Sequence, residues 1–275
     1  QSLSLQGNLL DVIPSDVAAL TGLHHLNLTS LRLNSNETMF EVLRPLVGLS
    51  SLRLQSTSLS HIPQAALEAL SSLPALTHLN LRYNRLGLGS EQLTTLARLP
   101  LQQLDLSSTG LALDEAGAQA FSHFVHMQHL QVGHNPLGHV PQLGNMVALR
   151  HLELDLCGLL EWPQEVTQLM SREDTPLRIV DLSGNRITEV PELSDTAFGA
   201  GLRTNPERAY VLHMHRNPLD AESIGRLHAV GLAYFGELVV VDTVDGAWLQ
   251  AETTQAQRDL WNDLFRNQAN AGLHD

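Results

Sequence analysis

Histidine is the residue type whose spacing first suggests chemistry. His25-Leu-Asn27, His78-Leu-Asn80, His129-Leu-Gln131 and His151-Leu-Glu153 repeat one local pattern, and His213-Met-His215 places two imidazoles two residues apart. If these segments lie side by side, the first four histidines form a column. Zinc would need about four ligands at roughly 2.0 to 2.1 Å, each oriented by a further partner, and no cysteine joins the column. A surface whose charge changes near neutral pH fits these residues better than a metal centre, and an ordinary polar face fits them best. No metal ligand is assigned. The single cysteine, Cys157, sits at a turn position and reads as a small buried hydrophobe. A nucleophile there would need exposure and an activating base. The chain has no G-x-S-x-G, phosphate-loop or H-E-x-x-H pattern. No catalytic residue and no cofactor are therefore expected.

The charged residues are unevenly placed. Arg53, Arg82 and Arg85 come early, with Tyr83 as an aromatic neighbour, while Asp105, Glu153, Asp155 and Asp181 come later. Over the 275 residues, 16 Lys+Arg stand against 29 Asp+Glu, a net charge of −13. Such a chain repels nucleic acid and anionic membrane surfaces. Hydrophobic residues make up 43%, enough for a folded core. No apolar run is long enough to span a bilayer. One cysteine allows no internal disulfide and suits a reducing destination. Gln1 already lies inside a repeat, so a fragment whose targeting segment lies elsewhere is expected. Asn27-Leu-Thr29 and Asn36-Glu-Thr38 match the glycosylation triplet, which matters only in a secretory pathway.

What must position these residues is a repeat. The pattern L-x-x-L-x-L-x-x-N-x-L is clearest at Leu76, Leu79, Leu81, Asn84 and Leu86. It recurs with Asn135, Asn185 and Asn217 at the turn, and with Leu31, Thr57, Thr109 or Cys157 in that place. A truncated copy opens the chain at Leu3, Leu5, Asn8 and Leu10. About nine copies, spaced roughly 22 to 32 residues apart, define a leucine-rich-repeat solenoid with a parallel concave sheet and a mixed helical and extended convex side. The L-x-L core is a strand whose leucines point inward, so the intervening residues line the concave face. That face is where such solenoids bind. The binding candidates are Arg53, His78, Asn80, Arg82, Tyr83, Asp105, His129, Gln131, His151, Glu153, Asp155, Asp181, His213 and His215, read as a polarised docking surface for a protein partner. Helices are expected over 64–73, 90–99 and 114–124. The segments at Pro14, Pro63, Pro141, Pro163 and Pro191 read as extended or singly turned. The repeats should occupy 1–219 and a capping segment 220–247, with Asp220 as an N-cap, a helix from Ala221 to Leu232 and a strand at 238–241 covering the sheet end. A helical segment should fill 248–275.

That last segment carries a resemblance. Trp248-Leu249 followed by Arg258-x-Leu260-Trp261-x-x-Leu264-Phe265 resembles the entry to the ligase domain of the novel E3 ligase family of bacterial type III effectors. The proline-bearing stretches Val140-Pro-Gln-Leu143 and Val190-Pro-Glu-Leu193 are similar to that family's repeats. These repeats are longer and less even than the family's, and its catalytic cysteine has no counterpart in this chain. The resemblance implies a substrate-binding, autoinhibitory repeat domain followed by a ubiquitin-ligase domain that works with a ubiquitin-conjugating enzyme. It also implies a secreted bacterial effector that meets a host protein in the host cytoplasm. The alternative is a stand-alone scaffold, with the bacterial cytoplasm as the alternative location.

Overall fold

A computed structural model describes residues 1–204, 209–235 and 238–241. Each Leu-x-Leu core forms a three-residue strand: β1 (Ser2–Ser4), β2 (His25–Asn27), β3 (Ser51–Arg53), β4 (His78–Asn80), β5 (Gln103–Asp105), β6 (His129–Gln131), β7 (His151–Glu153), β8 (Ile179–Asp181) and β9 (Val211–His213). They pair in sequence order, all parallel, with the central apolar residue of each strand opposite that of the next. The period-2 alternation of a strand then sends every central residue inward and both neighbours to the concave side. Leu26, Leu52, Leu79, Leu104, Leu130, Leu152, Val180 and Leu212 make one buried row, and Leu28 to Met214 two residues on make a second. One repeat cannot cover its own apolar face; the stack covers it.

The strand ladder runs further than the strands. Three residues after each strand centre plus one, at Gly7, Ser30, Ser56, Tyr83, Ser108, His134, Leu156, Gly184 and Arg216, the backbone is left-handed, with φ from 50° at Leu156 to 72° at Gly7. In all but the last of these the N–H donates to a carbonyl of the following repeat, as Tyr83 does to Ser107 and His134 to Asp155. The next residue is the turn position. Asn84, Asn135 and Asn185 each reach back to the preceding repeat. Asn135 donates to Leu106 and Val132 carbonyls and accepts from the Thr109 and Leu111 N–H groups. Three of the positions reached, Thr57, Thr109 and Cys157, are not asparagine. Asn217 reaches back in the same way to the Ile187 N–H and the Leu182 carbonyl, so the last two junctions are stapled in succession.

On the convex side lie α1 (Gln64–Ser71), α2 (Ser90–Leu96), α3 (Glu115–Ala120), α4 (Gln164–Met170), α5 (Ala197–Arg203) and α6 (Ala221–Ala229), with 3-10 turns at Ser15–Ala19, Glu41–Leu43 and Phe121–His123. The three expected helices are present, shortened at their C-terminal ends, and the third finishes as a 3-10 turn. Two were not expected. The Pro163 segment reads from sequence as extended or singly turned, yet it leads directly into α4, because proline is compatible with a helix start and Val166, Leu169 and Met170 give that helix a buried face. Thr196 caps α5 by accepting from Gly199 N at 2.9 Å. The shortest repeat, between β6 and β7, has no helix on its convex side. Phe40, Phe121 and Phe198 fill the space between the two sides and are fully buried.

Asp220 caps α6 as expected, accepting from Ser223 N at 2.7 Å. The helix ends at Ala229, and Leu232 belongs to a strand instead: β10 (Leu232–Phe235) pairs antiparallel with β11 (Leu238–Val241). This hairpin is a separate two-stranded sheet, so β11 is not a tenth strand of the main sheet. The helical segment expected over 248–275 lies outside the described residues. The described chain is a leucine-rich-repeat horseshoe with an open nine-stranded parallel sheet.

Candidate functional site

The concave face contains a groove of about 390 Å³ running from Gln6 to His151 across β2–β7. Parallel pairing places His78, Gln103, His129 and His151 in one row and Asn27, Arg53, Asn80, Asp105 and Gln131 in the next. Seven of the expected site residues thus line one groove: Arg53, His78, Asn80, Asp105, His129, Gln131 and His151. Glu153 and Asp181 continue the second row on β7 and β8. Arg82, Asp155 and His215 sit two residues beyond their strands, on the edge of the face. Tyr83 is half exposed there, with the Arg82 guanidinium 4.6 Å from its ring centre and donating to its hydroxyl at 2.9 Å. His213 and His215 do lie on the same side, their ring centres 6.0 Å apart. Arg85 is exposed in the turn after Asn84.

Asp105 differs most from its sequence reading. It is only 7% exposed. Its carboxylate folds back to accept from Ser107 N at 2.9 Å and from Asn80 Nδ2 at 3.2 Å. Burial nevertheless pushes its pKa up. Asn27, Asn80 and Asp181 make the same two-residue turn onto Thr29, Arg82 and Ser183 N–H groups, which holds the strand ends in register.

The histidine column is real but unevenly spaced. His129 and His151 stand edge to face with ring centres 5.8 Å apart, and Gln103 separates His129 from His78. Burial holds His78 below the ordinary imidazole range, helped by His25. Burial lowers His129 as well, with His151, His78 and Arg150 adding to it. His215 is lowered by burial, with His213 adding to it. Nε2 of His151 lies 2.8 Å from Glu153 Oε1, and this bond holds Glu153 below the usual carboxylate range. Among the described residues, no three His, Cys, Asp or Glu side chains converge as a metal cage.

Beyond β7 the face turns acidic. Burial, and then the nearby Asp181 carboxylate, push Asp155 up, although His134 Nε2 lies 3.1 Å from it. Sequence reading missed what makes room for Asp155. Other repeats carry Thr29, Gln55, Arg82, Ser107 or Ser183 at the place where Gly133 stands. A Cβ at 133 would collide with the Asp155 carboxylate. It also missed Gln6 and His134, which no motif marks, whereas Thr29, Gln55 and Gln103 fall on the concave face by strand position alone and line the groove without a charge to single them out. Cys157 is 3% exposed, its Sγ 3.4 Å from the Val132 and Asp155 carbonyls, and burial pushes its thiol up to about 12. A thiol that stays protonated and enclosed is a packing group, not a nucleophile.

No known family model matches the chain. Human podocan-like protein 1 is 27% identical over 254 residues, covering 85% of this chain and 47% of that protein. An internalin from Listeria monocytogenes superposes with a TM-score of 0.63 at 18% identity, over 83% of this chain and 58% of the other. A leucine-rich-repeat protein from Leptospira interrogans gives 0.58 at 20% identity with the same coverage. The chain therefore spans about half the length of the human relative and under two thirds of each bacterial structure. The likeness to the two solved structures is one of fold.

Proposed function

We propose that this chain is a protein-recognition scaffold that holds its partner against the concave face. The observation that carries this reading is the groove itself. Strands β2 to β7, in one register, present a polar groove with Arg53 toward one end, and Glu153, Asp155 and Asp181 lie at and beyond the other. Opposed poles fix the orientation of a partner and speed its encounter more than they add affinity. The groove is built on strands already hydrogen-bonded to their neighbours, so little ordering cost falls on binding. The test is affinity capture with the natural protein and with an Arg53→Glu, Asp181→Lys variant of unchanged circular dichroism. A partner retained by the first and lost by the second supports the reading. Equal retention overturns the concave-face assignment.

The finer form of this reading makes the repeats the substrate-binding and autoinhibitory arm of a bacterial ubiquitin-ligase effector acting on a host protein in the host cytoplasm. Its support is the Trp248 to Phe265 sequence, whose tryptophan and leucine spacing resembles the start of that ligase domain. The alternative is a stand-alone scaffold without linked enzymatic activity. Incubating the full-length natural protein with ubiquitin, activating enzyme and conjugating enzyme separates them. A reductant-sensitive ubiquitin adduct and chain formation favour the ligase; an inert protein leaves the scaffold.

A further inference from the structure

The groove across β3–β7 differs in charge from the molecule that carries it. The chain has a net charge of −13. Yet the ionisable side chains lining this groove are Arg53, His78, His129, His151 and Asp105. Of these, the one carboxylate is buried, with both oxygens already bonded to Ser107 N and Asn80 Nδ2. The remaining groups are a guanidinium and three imidazoles, in adjoining rows on neighbouring strands. Five strands at about 4.8 Å spacing span roughly 19 Å, the reach of about six extended residues. We infer that this groove takes an extended carboxylate-bearing peptide segment of a partner protein, and holds it more tightly once His78 and His129 are protonated. This rests on the scaffold reading above and supplies the partner's chemistry.

The groups facing these two imidazoles decide the direction. Around His78 they are His25 on β2 and Arg53 on β3, with Thr77 Oγ1 2.8 Å from Nδ1. Around His129 they are His151 and Arg150 from the neighbouring repeat, His78 across Gln103, and Glu153, which is already engaged by His151. Asp105 on β5 lies between the two histidines and is occupied; Arg82 is stacked on Tyr83 at the edge. Burial first, and then the potentially cationic company of the neighbouring histidines, with Arg150 at His129, holds both imidazoles neutral. A carboxylate entering the groove supplies the missing counter-charge, so binding draws protons in and strengthens as pH falls. A short acidic segment fits this arrangement better than a nucleic acid. A polyanion continuing along the face would run into Glu153, Asp155 and Asp181.

The test is fluorescence anisotropy with the whole chain and a labelled peptide of about six residues alternating Glu and Gly. The same peptide with Lys for Glu and a short single-stranded RNA are the comparison probes. The Glu peptide should bind about tenfold more tightly near pH 5.5 than near pH 7.5. A His78→Gln, His129→Gln variant should lose that gain, while His61→Gln, His123→Gln, on exposed histidines away from the groove, should keep it. The inference is overturned by no binding at the lower pH, by equal affinity at both, by equal binding of the Lys peptide, or by tighter binding of RNA. A protein partner captured through the concave face with no pH dependence would leave the scaffold reading standing and remove this inference alone.

Discussion

Asp155 shows most directly that this face is not arranged for stability. Its carboxyl is raised by burial and by Asp181, so the folded state disfavours its charged form. A carboxyl whose folded pKa exceeds its unfolded value costs stability above the folded value, and the cost disappears as pH falls through both. Asp155→Asn should therefore stabilise the protein at neutral pH by up to about 1 kcal/mol, with the gain shrinking as pH falls through the folded and then the unfolded value of the carboxyl. Urea midpoints across that range check it. A constant gain would mean that packing over Gly133, not charge, is responsible. Glu153 runs the other way. The bond from His151 holds its folded pKa below the ordinary 4.5, so its contribution is present above that value and is lost as pH falls through the folded one. Two neighbouring carboxylates thus have opposite signs, and the one that costs stability is the one beside a second carboxylate at the acidic pole. Retaining such a group is what a surface selected for binding accepts in exchange for stability.

At the scale of the repeat, the asparagines do more than turn the chain. Asn135 is 1% exposed and joins two repeats through Thr109 N, Leu111 N and the Leu106 and Val132 carbonyls. Asn135→Ala strands several buried polar groups at once and should cost about 3 kcal/mol or more. Thr109→Ala removes the bond from its hydroxyl to the Leu106 carbonyl and should cost about 1 kcal/mol. Denaturant unfolding of both variants tests the difference; equal losses would show that water replaces the asparagine. The asparagine positions were legible in the sequence, as were all nine strand centres, because Leu-x-Leu alternation is a local signal. The left-handed position before the turn was not. It is filled by Ser30, Tyr83, His134 and Leu156 alike, since the requirement is for a backbone N–H aimed at the next repeat and no side chain announces it. Helix α4 was hidden by Pro163, whose fixed φ reads equally well as extended backbone or as a helix start. Of the groove, the histidine row and Arg53 followed from register alone. The enclosure of Asp105 did not, because it depends on where its side chain turns after the strand ends.

The whole molecule is a line of neighbours, and its response to damage should be local. Each strand pairs with the one before and the one after, so stability is close to a sum of repeats and the contacts between adjacent ones. The asparagine staples join the third repeat to the fourth, the fifth to the sixth, the seventh to the eighth, and the eighth to the ninth. Between the sixth and seventh the side-chain link at this position is a weak one, from Cys157 Sγ to the Val132 carbonyl. Leu130, at the centre of β6, is fully buried beside that weaker junction. Leu130→Ala should cost about 2 to 5 kcal/mol by leaving a cavity. Hydrogen exchange should then speed up at the amides of β5, β6 and β7, while those of β2 and β3 keep their protection. The groove would lose its floor at His129 while Arg53 stayed in place, so the carboxylate peptide should keep a weak, pH-independent attachment. Uniform loss of protection along the sheet would instead make the nine repeats one cooperative unit, and the concave face would then be ordered or lost as a whole.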